Sequence, residues 1–455
     1  MMFRKTLLVA ALASFCAPAT WAAVSADEAK QLGTTLTPIG AEKAGNKDGT
    51  IPEWTGGLTT PPPTFQKGSG IRPDPFASEK PRLVIDGKNV AQHADKLTEG
   101  TKELLKRYPT TMRLDVYPTH RTVAFPKKIT DNVAKNAVGA KSVNGGLGVE
   151  GMVPGLPFPI PKTGNEAMLN HLMRYTTSAT RQKYDNWNVD SSGVPTLATT
   201  GDLLSEFPLF DAKRVDVAAK ESDVYYKIKL YYVGPARRNG EALLVMDSVN
   251  PTVQPRRAWQ YLPGQRRVKL APDLAYDTPN PGTAGTSTYD DAFVFNGAMD
   301  RFDFKLVGKK EMYVPYNGYK LYYAKPSVAP AKPNHVDPDF VRWELHRVWV
   351  VEATLKPGAR HIYSKRVFYL DEDSWVAIAS DQYDLAGKLY RSTVGNMTFN
   401  YDVGAVNNEN YTFYDFISGA YSLVGGVGSY EGLRFIDPLP EIQWSPETLA
   451  GAGVR

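Results

Sequence analysis

A single cysteine, Cys16, occurs in the 455 residues. One thiol allows no internal disulfide and no thiolate metal cage, so stability has to come from packing. No apolar run approaches the ~18 residues that a membrane-spanning helix needs. Catalytic signatures are missing as well: there is no G-x-S-x-G elbow, no P-loop and no G-x-G-x-x-G fingerprint. The six histidines, His93, His120, His171, His335, His346 and His361, make neither an H-x-H nor an H-E-x-x-H pattern. No motif therefore assigns a catalytic residue, a cofactor or a metal ligand.

An export signal is present at the N-terminus. MMFRK forms a positive n-region, Thr6 to Ala17 an apolar h-region, and Thr20 and Ala22 fit positions −3 and −1 of a cleavage site. Cys16 lies inside this segment, and Phe15 before it does not suit a lipid-attachment box. Cleavage near Ala22 is expected to remove residues 1–22. The formal charge of +5 then loses Arg4 and Lys5 and becomes +3, which gives no electrostatic case for a nucleic-acid partner.

Ser25 and Glu28 form a capping box that opens a short helix ended by Gly33. Residues Thr34 to about Pro81 are rich in Gly, Pro and Thr, so residues 23–82 read as a helix and an extended arm laid over a main domain of residues 83–455. KLTEGTKELLKR predicts a helix stopped by Pro109, and PGLPFPIP (Pro154 to Pro161) a rigid strap. In GNEAMLNHLMRY, Met168, Leu169, Leu172, Met173 and Tyr175 recur at helical spacing on one face. Beyond Val224 the chain turns strongly to β, and Phe340 to Tyr390 reads as an antiparallel meander. The 11% aromatic content, with 25 Tyr, suits extensive β-structure or an aromatic-lined cavity. An α+β fold, mainly antiparallel β, is expected.

Along the strand from Arg342, alternation puts Arg342, Glu344, His346, Val348 and Val350 on one face and Trp343, Leu345, Arg347, Trp349 and Val351 on the other. Glu344 beside His346 could serve as an acid–base pair, and equally as a structural ion pair. Asp371, Glu372 and Asp373 read as a solvated hairpin tip. GNKDGTIPEW offers fragments of a calcium loop without its first ligand or its bidentate carboxylate, and reads as an Asp-Gly turn. The best local binding candidate is the basic hairpin around Pro263-Gly264, read as a type II turn. Its Arg257, Trp259 and Tyr261 share a face, with Arg266 beyond the turn. Guanidinium groups beside aromatics suit an anionic head with an apolar tail.

Several runs together resemble one family: IPEWTGGL, VYPTHRTVAFP, GLPFPIPKTGNEAMLNHLMRY, RRAWQYLPGQRRVKLAP, KEMYVPYN and RWELHRVWVVEATLKPGARHIYSKRVFYLDEDSW. These are similar to exported Gram-negative proteins grouped as domain of unknown function 1329, related to the LolA/LolB outer-membrane lipoprotein-sorting fold. The resemblance implies a curved, incomplete antiparallel β-barrel with helices plugging its concave side over an apolar cavity. It also implies company, an RND-type (MMPL-like) inner-membrane exporter and an outer-membrane protein. It supplies no catalytic residues.

The expected function is that of a periplasmic carrier or chaperone for a lipid, lipoprotein acyl chain or other hydrophobe. Arg257, Trp259, Tyr261, Arg266, Trp343, Trp349, Met168 and Leu172 are its candidate ligand-binding residues, and the 164–175 helix its movable lid. An envelope-lipid hydrolase using Glu344 and His346, or an envelope interaction or sensor protein, are the alternatives.

Overall fold

The computed structural model describes residues 24–453. The export signal, its cleavage near Ala22 and Cys16 lie outside the described residues.

Two meanders make most of one 16-stranded sheet. The first runs through Ala179–Val189, Pro195–Glu206, Val224–Gly234, Ala242–Ser248, Arg257–Leu262 and Arg267–Leu270. The second runs through Phe302–Pro315, Trp343–Leu355, Lys365–Asp371, Ala377–Tyr383, Leu389–Gly395, Tyr411–Asp415 and Tyr421–Gly426. Within each meander every strand pairs antiparallel with the next, and the two join where Tyr421–Gly426 pairs with Ala179–Val189. The outermost strands, Arg267–Leu270 and Phe302–Pro315, do not pair with each other, so the barrel stays open. Arg267 and Lys269 on one edge, and Lys305, Lys309 and Lys310 on the other, discourage pairing with a second chain.

The registers connect one face across the whole sheet. Leu306, Val351, Phe368, Ser380, Thr393, Phe413 and Ser422 follow one another on it through the second meander. On the first meander it continues through Gln182, Leu203, Leu230, Leu243 and Gln260. This inner face receives the helix Gly164–Leu172 and the loop that carries Asp290 to Phe295. Thr163 caps the helix through the Glu166 amide, and Gly164 is obligatory there because a Cβ would lie 2.6 Å from the Phe304 backbone.

The chain ends cover the opposite face. Trp444 and Leu449 pack on Ala242, Leu244, Met246 and Tyr261 of the first meander. The N-terminal arm and the helix Glu99–Arg107 cover the second, with Leu58 and Phe65 packed beside Val348 and Val350, and Gly100 against Ser392. The capping box on Ala26–Ala29 forms as its sequence requires. The helix before Pro109 starts later than its sequence suggests, at Glu99, because Leu97 is extended and Thr98 caps the first turn through the Thr101 amide.

Candidate functional site

Three zones follow one another along the inner face. Under the helix Gly164–Leu172 the face is filled: Met168 and Leu169 pack with Phe295, Phe304, Val351, Phe368 and Trp375. In the middle it is filled by charge. Arg366 donates to Asp290 (2.7 Å) and Asp291 (2.7 Å), His361 meets Asp290 (3.0 Å), and Arg391 pairs with Asp415 (3.0 Å). Burial raises the Asp290 carboxyl, but Arg366 and His361 hold it well below the usual carboxylate range.

The third zone, on the first meander, is open. An inner chamber of about 100 Å³ is walled by Leu203, Leu230, Leu243, Val245, Tyr184 and Tyr232. Through Phe293, Asn296 and Glu409 it adjoins a junction chamber of about 40 Å³, which also touches Leu172, Arg174, Tyr225 and Tyr226. Leu172 and Tyr225 in turn line an outer chamber of about 500 Å³, bounded by Leu147, Leu169, Met173, Val249 and Met299. Thr252, Pro255, Pro272 and Asp300 are exposed around its mouth. Arg256 stands between outer and inner chambers with every terminal nitrogen engaged, on Asp247 (2.7 Å), Asn296 (2.9 Å) and the Leu274 carbonyl (3.0 Å).

The helix beside the outer chamber is pinned. The Ala377 N–H donates to His171 Nδ1 (2.9 Å), so Nε2 carries the proton and donates to the Phe295 carbonyl (2.9 Å). Asn170 likewise ties the helix to both backbone groups of Phe158 in the proline strap. The helix is a fixed plug at these contacts, and not the movable lid its methionines suggest.

Burial, with Arg174 nearby, pushes the His171 pKa from 6.5 down to about 3. Its contribution to stability is thus complete above pH 6.5. It declines as pH falls, because the unfolded chain takes a proton the folded site refuses. The stability gap between wild type and His171→Leu is expected to narrow by on the order of 2 kcal/mol between about pH 6.5 and about pH 4.5. Urea unfolding of both proteins at several pH values measures it, and slopes common to both, as from buried carboxylates, cancel. An unchanged gap would rule out the neutral staple.

The sequence candidates do not come together. Leu172 lines two chambers, while Met168 is sealed beneath it in the core. Trp343 packs with Leu104, Leu105 and Leu345, and Trp349 stacks on Trp375 with ring centroids 6.1 Å apart; neither touches a chamber. On the hairpin, Arg257 and Arg266 are exposed and Tyr261 faces the C-terminal segment, with Trp259 half-buried against the same cluster. The turn is a 3-10 turn, Pro263–Gln265, closed by Arg266 in the left-handed region (φ +47°), and not type II. The neighbouring residue of opposite facing, Arg256, is the one that reaches the cavity. Arg174, Tyr226 and Glu409 carry no sequence signal beyond the position of Arg174 one turn after the plug.

Glu344 and His346 do meet (2.9 Å), and both are buried. Although burial raises Glu344, its bonds to His346 and Arg342 hold it below its ordinary value. Neither lines any of the chambers. The 371–373 turn is not a solvated tip: all three carboxylates are buried under the arm, with Arg121 bidentate on Asp373 (2.8 and 2.7 Å) and Lys309 on Glu372 (2.7 Å). His346, Asp371 and Asp373 bring ligand atoms within 4.8 Å of one another, yet both Asp373 oxygens are committed to Arg121. In the arm, Asn46 accepts from the Ile51 amide and Gly49 takes φ +68°, a turn stabilised by its own side chain.

Residues 84–450 match the family model described as Protein of unknown function (DUF1329). An uncharacterised protein of Pseudomonas aeruginosa is 41% identical over 445 residues, covering 97% of each chain. Among solved structures, a DUF1329 family protein from Desulfovibrio piger superposes with a TM-score of 0.43 at 14% identity, over 63% of this chain and 97% of that one. A LolA superfamily protein from Nitrosomonas europaea gives a TM-score of 0.38 at 12% identity, over 63% and 100%.

Proposed function

The chain belongs to the DUF1329 family, and from that premise and the chambered inner face we propose that it carries a hydrophobic molecule within the bacterial envelope. The observation behind this reading is the run of adjoining chambers from an exposed mouth to the apolar inner face of the first meander. At about 500 Å³ the outer chamber falls within the ordinary range of ligand pockets. Its walls are mainly aliphatic, and each methylene withdrawn from water there contributes roughly 0.8 kcal/mol. The second meander supplies rigidity instead, since its inner face is filled by side chains.

A carrier needs a donor and an acceptor, and an inner-membrane exporter and an outer-membrane protein are proposed for these roles. The geometry favours the carrier over the hydrolase alternative: Glu344 and His346 are buried, and the Glu344 carboxylate is committed to Arg342, His346, Asn317 and the His120 amide. Purification from native membranes-free extract, followed by solvent extraction and lipid mass spectrometry, is expected to recover a stoichiometric amphiphile. Repeated recovery of empty protein that also fails to bind a long-chain fluorescent probe would defeat the carrier reading.

A further inference from the structure

We infer that the carried molecule is an anionic amphiphile, its carboxylate or phosphate head held by Arg174 and Tyr226 in the junction chamber and its tail lying in the outer chamber. The inference rests on the carrier reading and adds the chemical class of the ligand.

Arg174 is the first reason. Among the described residues it makes no ion pair: its terminal nitrogens donate to the His171 carbonyl and the Asn408 amide oxygen, both uncharged, and its Nε has no partner. Burial lowers its pKa to about 10, which leaves it a cation at neutral pH. The surface it retains lines the junction chamber. The acidic group it feels, Glu409 on the same chamber, makes no ion pair with it and is itself pushed by burial toward its neutral form. The buried guanidinium therefore lacks a committed counter-charge, an unfavourable state that natural proteins relieve by pairing. Its planar fork also matches carboxylate and phosphate oxygens.

The Tyr226 hydroxyl is the second reason. It is buried, lines the same chamber and has no hydrogen-bond partner. Two donors on one small chamber thus await one acceptor.

Glu409 faces the chamber too and would oppose an anion while ionised. Burial raises its pKa to about 7 against the pull of Arg174, so it can take up a proton when an anion arrives, while Gln182 keeps its hydrogen bond. The tail direction follows from room. The inner chamber offers about 100 Å³ and the outer about 500 Å³, with Leu169, Leu172 and Met173 leading from the head to the mouth.

Calorimetric titration of the purified protein with palmitate, hexadecyl phosphate, hexadecanol and inorganic phosphate tests the assignment. At least one of the two long-chain anions is expected to bind about tenfold or more tightly than the alcohol. Which one does so separates a fatty-acid head from a phosphate head. Inorganic phosphate is expected to bind far more weakly than its alkyl ester. Arg174→Met should abolish the preference for the anion. Tyr226→Phe, which removes only an unpartnered hydroxyl, should reduce it severalfold without lowering the unfolding temperature, so the test survives even if Arg174→Met misfolds. Glu409→Gln should strengthen anion binding. Equal binding of anion and alcohol by the wild type, or a preference untouched by Tyr226→Phe and a folded Arg174→Met, overturns the head-group assignment and leaves the carrier standing. Inorganic phosphate binding as tightly as the ester overturns the amphiphile class. Failure of every long-chain compound to bind defeats the carrier reading itself.

Discussion

Replacing Arg366 with methionine is expected to lower folding stability by about 3–5 kcal/mol, the usual consequence of leaving buried charge without its partner. The guanidinium is fully buried and bridges Asp290 and Asp291 of the inner loop to the strand Lys365–Asp371. Methionine fills much of the volume but leaves two carboxylates facing each other in a dry site. Chemical unfolding measures the loss. The triple variant Arg366→Met, Asp290→Asn, Asp291→Asn should recover a large part of it, because the uncompensated charge is gone. If the single variant is as stable as wild type, the cluster is not holding the loop.

Trp375→Ala should be comparably damaging, at about 3–5 kcal/mol for a deleted core indole. The ring is fully buried, stacks on Trp349 and packs in the main cluster, while its Nε1–H donates to the Ile39 carbonyl (2.9 Å). Loss of that bond frees the arm as well as opening a void. Trp375→Phe keeps most of the ring and should cost less, while still releasing Ile39. Denaturant titration gives the two stabilities, and limited proteolysis between residues 34 and 82 reports the arm. Equal resistance of both variants and wild type to the protease would contradict the anchoring role.

The fold was most legible where one strand face is apolar. Val224–Gly234, Ala242–Ser248 and the strands from Trp343 to Gly395 alternate or run in β-branched and aromatic residues, and all of them form. Ala179–Val189 carries no such pattern: of its inner positions Gln182 faces Glu409 and the Tyr322 hydroxyl, Asn186 faces the Gly282 carbonyl, and Tyr184 lines the inner chamber. Phe302–Pro315 is disguised by a bulge at Gly308 and by the lysines of an edge. The site was harder to read for a related reason. Alternation correctly separated Arg256 from Arg257, but nothing local says which face a sheet turns inward. That choice depends on helix Gly164–Leu172 and the C-terminal segment, which lie far off in sequence. Arg174 and Glu409, separated by more than half the chain, come to line one chamber only through the completed sheet.

The arm also sets the order of assembly. The Gly70 carbonyl accepts from the Leu433 amide (2.9 Å), and Arg72 reaches back to the Leu433 carbonyl (3.1 Å) and to Asp402 (2.6 Å). The segment synthesised first therefore finds its partners among those synthesised last. Contacts of such long sequence separation cannot form while the chain is still emerging, and proteins dominated by them fold slowly. Truncation before Leu433 should therefore unseat residues 70–72, far away at the other end of the chain.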